Sequence, residues 1–380
     1  MAAPRVPQLD DGVVRLRAHR EDDIDAAVEM CRDPEFARWT SVPSPYTRDD
    51  AKRFIRDIVA SGWERGDYRG WAIEAYDGET LRFAGNVDVR GLPIADIGFG
   101  LHPWARGRGV MVRAVRLAAL WAFEQGGVAA LHWRARVGNL PSRRVAWATG
   151  FRFHGAVPRL LAERGEVVDA WIGSLSPGQK MTARTRWLEP VLLTGSRAVL
   201  RPLRDADVPR VVEACSDERS QHWLAALPRP YTEADGLVYV LGREVQQSVD
   251  ASVTWCIANP DTDELLGNVG IMSLDGMDPT SGEVGYWAHP DARGRGVMSE
   301  AVRLVVGHAF APAETGGLGL RRLTLGTADG NTASQYVARQ AGFTEVGRNR
   351  AAEPLGDGSY ADVAWFDLLA TDSGRRTSNG

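Results

Sequence analysis

A chain of 380 residues exceeds the length at which a single hydrophobic core stops growing, so two domains of ordinary size are expected. With 44% hydrophobic and 25% charged residues the composition is that of a soluble globular protein, and no apolar run reaches the roughly 18 residues that a membrane span requires. A net charge of −4 offers no concentrated basic balance, which argues against a nucleic-acid binder.

The first ten residues lack the apolar centre of a secretion signal. A short strand at 13–17 leads through Glu21, Asp22 and Asp23, an acidic helix start, into a helix presenting Ile24, Ala27, Val28 and Cys31 on one face. After Pro45 and Tyr46, Thr47 is placed to cap a second helix. Three runs rich in β-branched and aromatic residues, 70–75, 83–89 and 94–101, read as strands. The segment Arg106-Gly107-Arg108-Gly109-Val110-Met111 then turns the chain into an amphipathic helix over 110–123. A strand at 130–136, a helix opened by Asn139 and a Gly150-Phe151 turn into final strands complete this half. Residues 173–186, with Ser174, Ser176, Pro177, Gly178 and Gln179, read as a linker.

The same order returns in the second half: a strand at 198–201, a helix carrying Val208, Val211, Val212 and Cys215, a Thr232-capped helix, and strands at 252–258, 265–272 and 282–288. The hexapeptide Arg-Gly-Arg-Gly-Val-Met recurs as Arg293-Gly294-Arg295-Gly296-Val297-Met298 and opens a helix over 297–310. A strand at 322–326, a helix opened by Asn331 and a Gly342-Phe343 turn follow. The offset is 187 both from Arg106 to Arg293 and from His102 to His289, and drifts only between 182 (Gly85 to Gly267) and 192 (Gly150 to Gly342), as small loop insertions allow. A duplicated domain is therefore expected, with units at 11–175 and 187–371 and a polar tail at 371–380 expected to be disordered. Antiparallel strands early and helices on both faces later indicate an α+β fold, each unit a mixed, mostly antiparallel twisted sheet flanked by helices.

A strand that runs into a glycine-rich bend and a helix start presents several unpaired N–H groups in one direction, at the positive end of the helix dipole. Such a turn holds phosphate or pyrophosphate. Gly107, Gly109, Gly294 and Gly296 let the backbone approach a ligand or adopt positive φ, and the arginines add charged donors. The Gly-Lys-Ser/Thr ending of a nucleotide-binding loop is absent, as is the dinucleotide Gly-x-Gly-x-x-Gly pattern. A glycine turn with surface arginines and no ligand is the plain alternative for either copy taken singly.

Arg-x-x-Gly-x-Gly/Ala between a bulged strand and a helix, followed by Asn-x-x-Ser and then Gly-Phe, resembles the GNAT superfamily of acyl-CoA-dependent N-acetyltransferases. The phrases Glu283-Val284-Gly285-Tyr286-Trp287-Ala288-His289-Pro290 and Ala341-Gly342-Phe343 are similar to the branch containing the ribosomal-protein N-terminal acetyltransferases. The likeness covers nearly the whole chain, as two tandem GNAT-like domains. Both copies depart from the pattern at its last small residue, where Met111 and Met298 stand.

The resemblance implies acetyl-CoA as cofactor, its pyrophosphate held by the turn amides of Arg108, Gly109, Val110 and Met111, and of Arg295, Gly296, Val297 and Met298. The preceding strand segments, Phe99 to Leu101 and Tyr286 to Ala288, would pair with the pantetheine arm, and one of their N–H groups would polarise the thioester carbonyl. Asn139 and Asn331 would touch the pantetheine, or serve simply as N-caps. Glu283 is the general-base candidate, with an ion-paired strand-edge carboxylate as the alternative. Tyr336 is the general-acid candidate, five residues beyond Asn331, with a core tyrosine as the alternative. The first half has Asp96 and Arg144 at these places, and arginine cannot donate that proton, so the second half is expected to be the catalytic one. Ser142 and Ser334 are further proton-relay candidates.

Other residues invite functional readings that structural roles rival. His102 and His289, each before a proline, and Trp39, Trp71, Trp223 and Trp255 at repeat positions read as structural. The three cysteines have no metal-ligand spacing and cannot all pair, so buried thiols, a reduced cytoplasmic setting and no metal site are expected. The leading function is transfer of an acetyl or related acyl group from CoA to a primary amine, on a small molecule or a protein N-terminus. A CoA-binding regulatory or scaffold protein, and a tRNA-dependent aminoacyl transferase on a related duplicated fold, are the other readings. Residues 1–190 carry 28 basic and 24 acidic side chains and the remainder 17 and 25, so the acidic second half favours a cationic acceptor. Duplication lets a monomer act as an internal pseudo-dimer, with a homodimer as the alternative.

Overall fold

The computed structural model describes residues 6–373 and divides into two compact units, the break falling after Arg184. Each unit is one eight-stranded sheet with helices packed on its faces. The first contains β1 (Leu9–Asp10), β2 (Val14–Arg17), β3 (Tyr68–Asp77), β4 (Thr80–Arg90), β5 (Ile94–Leu101), β6 (Ala130–Arg136), β7 (Arg152–Glu163) and β8 (Glu166–Leu175), in the spatial order β1-β2-β3-β4-β5-β6-β8-β7. The second contains β9 (Leu193–Thr194), β10 (Val199–Arg201), β11 (Val253–Ala258), β12 (Leu265–Met272), β13 (Ser281–Ala288), β14 (Arg322–Ala328), β15 (Thr344–Pro354) and β16 (Tyr360–Leu369), in the same order. Neighbours run antiparallel except β5 with β6 and β13 with β14, so the mixed α+β architecture read from the sequence is the one that forms.

Buried charge fixes the entry to each unit. Arg17 at the end of β2 makes two 2.7 Å hydrogen bonds to Asp23 and lies 2.7 Å from Glu74; Arg201 at the end of β10 bonds Asp207 at 2.8 and 2.9 Å and Asp263 at 2.6 Å. The two aspartates also accept the backbone N–H of Arg20 and Arg204, so the acidic run seen in the sequence is the start of the first helix of each unit, Ile24–Arg32 and Val208–Ser216. Thr47 and Thr232 cap their helices as expected, each in a reciprocal box with the aspartate three residues on. After Arg48–Arg53 the first of these helices widens into a π-helical stretch, Phe54–Val59, before Ala60–Arg65, whereas its counterpart Glu233–Gln247 is regular.

Some elements differ from the expectation. Two short helices, Pro34–Trp39 and Glu218–Trp223, occupy segments for which the sequence suggested no element; Asp217 caps the second by accepting from Ser220 N–H. Residues 173–175 continue β8, so the irregular connector starts only at Ser176. Of the tail expected at 371–380, residues 371–373 close a short helix, Ala370–Ser373, and the rest lies outside the described residues.

The bulge expected in the strand before the turn sits instead in its neighbour. β5 and β13 keep unbroken register with β4 and β12, while β4 and β12 shift register against β3 and β11 beside Gly85 and Gly267. These glycines have φ of 151° and 157°, and a Cβ on either would run into a carbonyl of the facing strand, Gly100 O or Trp287 O. On its other side β5 pairs with β6 only over Ile94 to Ile97, and β13 with β14 only over Ser281 to Glu283. Beyond those residues the strands diverge, and each sheet opens into a cleft at the C-terminal end of its central strand.

Replacing Asp207 by Ala strands a buried guanidinium and an N–H together, and should destabilise the second unit by about 3–5 kcal/mol in urea unfolding of the full chain. A loss below about 1 kcal/mol would mean that Asp263 alone satisfies Arg201.

Candidate functional site

Each cleft is closed at one end by the glycine-rich turn. Gly107, Gly109, Gly294 and Gly296 have φ between 71° and 73°, the left-handed region in which a side chain is disfavoured. Gly109 and Gly296 are the N-caps of the long helices Val110–Glu124 and Val297–Phe310, and neither helix start has a side-chain cap. The first-turn amides are thereby left for an external acceptor. Met111 and Met298 are buried in the helix faces, so the departure from the small-residue pattern leaves the turn surface unchanged.

The arginines of the two turns are not equivalent donors. Arg106 lies 3.0 Å from Asp33, and Arg293 bonds Asp217 and, at 3.0 Å, Ser220 Oγ. These first arginines tie the turn to the start of a short helix rather than facing an anion, contrary to the sequence expectation for Arg106 and Arg293. Arg108, stacked over Trp104, and Arg295, bonded to Asp291 O at 3.1 Å, keep exposed heads.

Strand geometry aims the amides. His102 N–H donates to Ala84 O at 2.8 Å and His289 N–H to Leu266 O at 2.9 Å. Since amide direction alternates along a strand, the N–H groups of Phe99 and Leu101, and of Tyr286 and Ala288, turn to the open edge of the cleft. That of Trp287 turns back toward β12.

The side chains of β13 divide between the two sheet faces. Glu283, Gly285 and Trp287 lie on the face packed by Val208, Val211 and Cys215; Val284 and Tyr286 lie on the face packed by the Val297–Phe310 helix. Among the described residues no cation pairs with Glu283, and its carboxyl is pushed above the ordinary value by burial and by the like charge of Glu353. Burial raises Glu353 as well. On the opposite face the Tyr286 hydroxyl lies 3.0 Å from both Ser334 Oγ and Ser334 O. Burial pushes this phenol up to about 12, and Ser334 draws it down. A candidate base and a candidate acid thus flank one strand whose edge amides are open.

Tyr336 does not join them. Two residues beyond Ser334 on the Thr332–Gln340 helix, it is rotated about 200° from the serine that faces β13, and it is 61% exposed. Ser334, rather than Tyr336, is the side chain of this helix that meets β13. Asn139 and Asn331 are N-caps, accepting from Ser142 N–H at 3.1 Å and Ser334 N–H at 3.2 Å.

The first unit differs at each of these points. Asp96, equivalent to Glu283, is paired with Arg134, whose counterpart in β14 is Gly326. The ion pair Asp88–Arg90, 2.7 Å, lies over Gly98, and the Phe36 ring lies against Gly100. Phe99 stands where Tyr286 carries its hydroxyl, and Ser142 Oγ accepts instead from Trp133 Nε1 at 2.9 Å. Sequence reading missed Glu353, the Tyr286 hydroxyl and Arg134; the signal available was where the repeats disagree.

The remaining candidates are structural. Trp71 and Trp255 are fully buried and donate to Pro7 O and Val191 O, while Trp39 and Trp223 are half-buried. His289 is buried between Glu213 and the N–H of Asp291, and His102 is buried beside Glu29. Burial raises the thiols of Cys31 and Cys215, to about 12 and about 11, and that of Cys256 further. A thiol-specific reagent should label none of the three in the native chain and all three after unfolding; a fast-reacting native thiol would contradict this burial.

Comparison with known proteins gives two matches to one family model, the acetyltransferase (GNAT) domain, at residues 14–152 and 197–344. The ribosomal-protein-serine acetyltransferase of Escherichia coli (strain K12) is 32% identical over 101 residues, 27% of this chain and 52% of that protein. The chain spans about half the length of the first curated relatives it matches. The solved structure of Mycobacterium smegmatis RimJ in complex with CoA-disulfide aligns over 50% of this chain and 94% of its own, at 18% identity and a TM-score of 0.44. No described helix is long and apolar enough to cross a membrane. Two family matches that together take in most of the sequence, each spanning one glycine-capped turn and its divergent strand, show that this chain belongs to the GNAT acetyltransferase family and carries its domain twice.

Proposed function

We propose that the second unit transfers an acetyl or related acyl group from CoA to a primary amine, and that the observation carrying this reading is the unpaired Glu283 on one face of β13 with Tyr286 and Ser334 on the other. Bound CoA would supply the acyl thioester. The amides of Arg295, Gly296, Val297 and Met298 would hold its pyrophosphate, and the edge amides of Tyr286 and Ala288 would donate hydrogen bonds to the pantetheine arm and to the carbonyl oxygen as negative charge develops there. Glu283, charged and without a cation, takes the proton of the attacking amine. Ser334, held by the Tyr286 hydroxyl, returns a proton to the departing sulfur, and the phenol refills the serine.

The first unit supports the second sequence reading, cofactor binding without turnover. Its turn and open strand edge are intact, whereas its strand carboxylate is neutralised by Arg134 and the Asp88–Arg90 pair lies over Gly98, where the second unit sets the uncharged Met272 over Gly285. The similarity to a ribosomal-protein-serine acetyltransferase favours a protein N-terminal amine as acceptor, and the carboxylates Glu283 and Glu353 favour a cationic one.

Thiol release from acetyl-CoA, followed across N-terminal peptides and small amines, tests the assignment. Glu283→Gln should lower kcat about 100-fold, and Ser334→Ala or Tyr286→Phe about tenfold or more, while Tyr336→Phe and Asp96→Asn leave it within about twofold. Equal losses in Asp96→Asn and Glu283→Gln would overturn the choice of unit. A base works only when deprotonated, so activity should fall as pH drops through the raised pKa of Glu283, above the ordinary glutamate value of about 4.3. Glu353→Gln removes a like charge, stabilises the Glu283 anion and should move that limb to lower pH; an unmoved limb would count against Glu283 as the titrating base.

A further inference from the structure

The two turns are identical in sequence but not in what lies over them. A Cβ placed on Gly296 would run into Nη1 of Arg197, whereas nothing lies within 4 Å of the same position on Gly109. The register of Arg17 with Arg201 makes Val13 the counterpart of Arg197, so the first turn has an aliphatic side chain where the second has a guanidinium.

The loop that delivers Arg197 is fixed. Glu300, in the first turn of the Val297–Phe310 helix, accepts from Ser196 N–H at 3.1 Å, Ser196 Oγ at 2.7 Å and Arg197 N–H at 2.7 Å. Burial works to raise this carboxyl, but the hydroxyl and amide donors outweigh it and hold the group below its usual range. The carboxylate is thus committed to loop backbone. Among the described residues the Arg197 guanidinium has no hydrogen-bond or ion-pair partner, and the residue is exposed.

The first unit carries the same two charges in a different arrangement. Asp11 accepts from the N–H groups of Val13 and Val14 and also bonds Arg113, the residue equivalent to Glu300, at 2.8 Å. Acid and base there neutralise one another directly. In the second unit the helix carries the acid, Gly195 stands in place of Asp11, and the cation two residues on, Arg197, is left to lie over the turn.

We propose that Arg197 is a specificity-determining residue that contacts the pyrophosphate of CoA at the second turn and makes that turn the tighter of the two cofactor sites. This rests on the reading of the turn as a CoA site. The guanidinium lies over Gly296, carries one uncompensated charge and is attached to a loop already ordered, so little entropy is lost on contact. The Val13 turn relies on backbone donors and Arg108 alone.

Calorimetric titration of the full chain carrying Gly109→Val, in which a β-branched residue at positive φ disables the first turn, isolates the second site. Arg197→Ala in that background should weaken CoA and dephospho-CoA alike by about tenfold, leave pantetheine unchanged and lose most of its effect at about 1 M salt, while Arg197→Lys recovers part of the affinity. If Gly109→Val fails to fold, the otherwise unaltered chain should show two classes of site, of which Arg197→Ala weakens only the tighter. Unchanged affinity in Arg197→Ala, or a loss confined to CoA that places the guanidinium at the 3′-phosphate, overturns the proposal. Absence of CoA binding before Arg197 is altered strikes the underlying reading of the turn instead.

Discussion

A strand whose neighbour diverges half-way along its length carries amide donors on that side which the sheet cannot satisfy, and both units place this unsatisfied edge next to the uncapped start of a long helix. Burying such groups without partners costs free energy, so the arrangement persists only where water or a ligand reaches it. The bulge beside Gly85 and Gly267, the left-handed glycines of the turns and the divergence of β6 and β14 all serve that one opening. Each is a local departure from regular structure, and each occurs in both units at equivalent places.

On this shared frame the units diverge through a few side chains. Arg134 against Gly326 decides whether the strand carboxylate is neutralised, Phe99 against Tyr286 whether a hydroxyl reaches the helix serine, and Gly100 against Trp287 whether the aromatic ring on that face comes from a helix or from the strand itself. None alters the buried Arg17–Asp23 or Arg201–Asp207 pairs, which set the fold of each unit independently of the cleft. The residues that differ between the two clefts and those that hold the fold together are therefore separate sets.

Much of the frame was legible because it depends on local chemistry. Periodicity placed β5, β6 and β12 and the Val297–Phe310 helix at their observed bounds, and Thr47 and Thr232 cap as their spacing implied. The short helices after Asp33 and Asp217 were hidden because six residues give no periodic signal. The site was less legible. Whether a carboxylate is free or an arginine spent depends on strands distant in sequence, and Arg106 and Arg293 prove to be ties to neighbouring helices. Tyr336 lies five residues beyond Asn331, a count that does not say which way the helix turns its side chain.

The Phe36 ring against Gly100 sets how far the first unit stands from its twin. Trp287 occupies the Gly100 position in the second unit, so one copy fills that space from the strand and the other from a helix. Phe36 and Arg134 belong to different elements, and the helix that bears Phe36 is also the one tied to the turn, through Asp33 and Arg106. A change at residue 36 therefore bears on the seating of the first turn as well as on the strand face it packs.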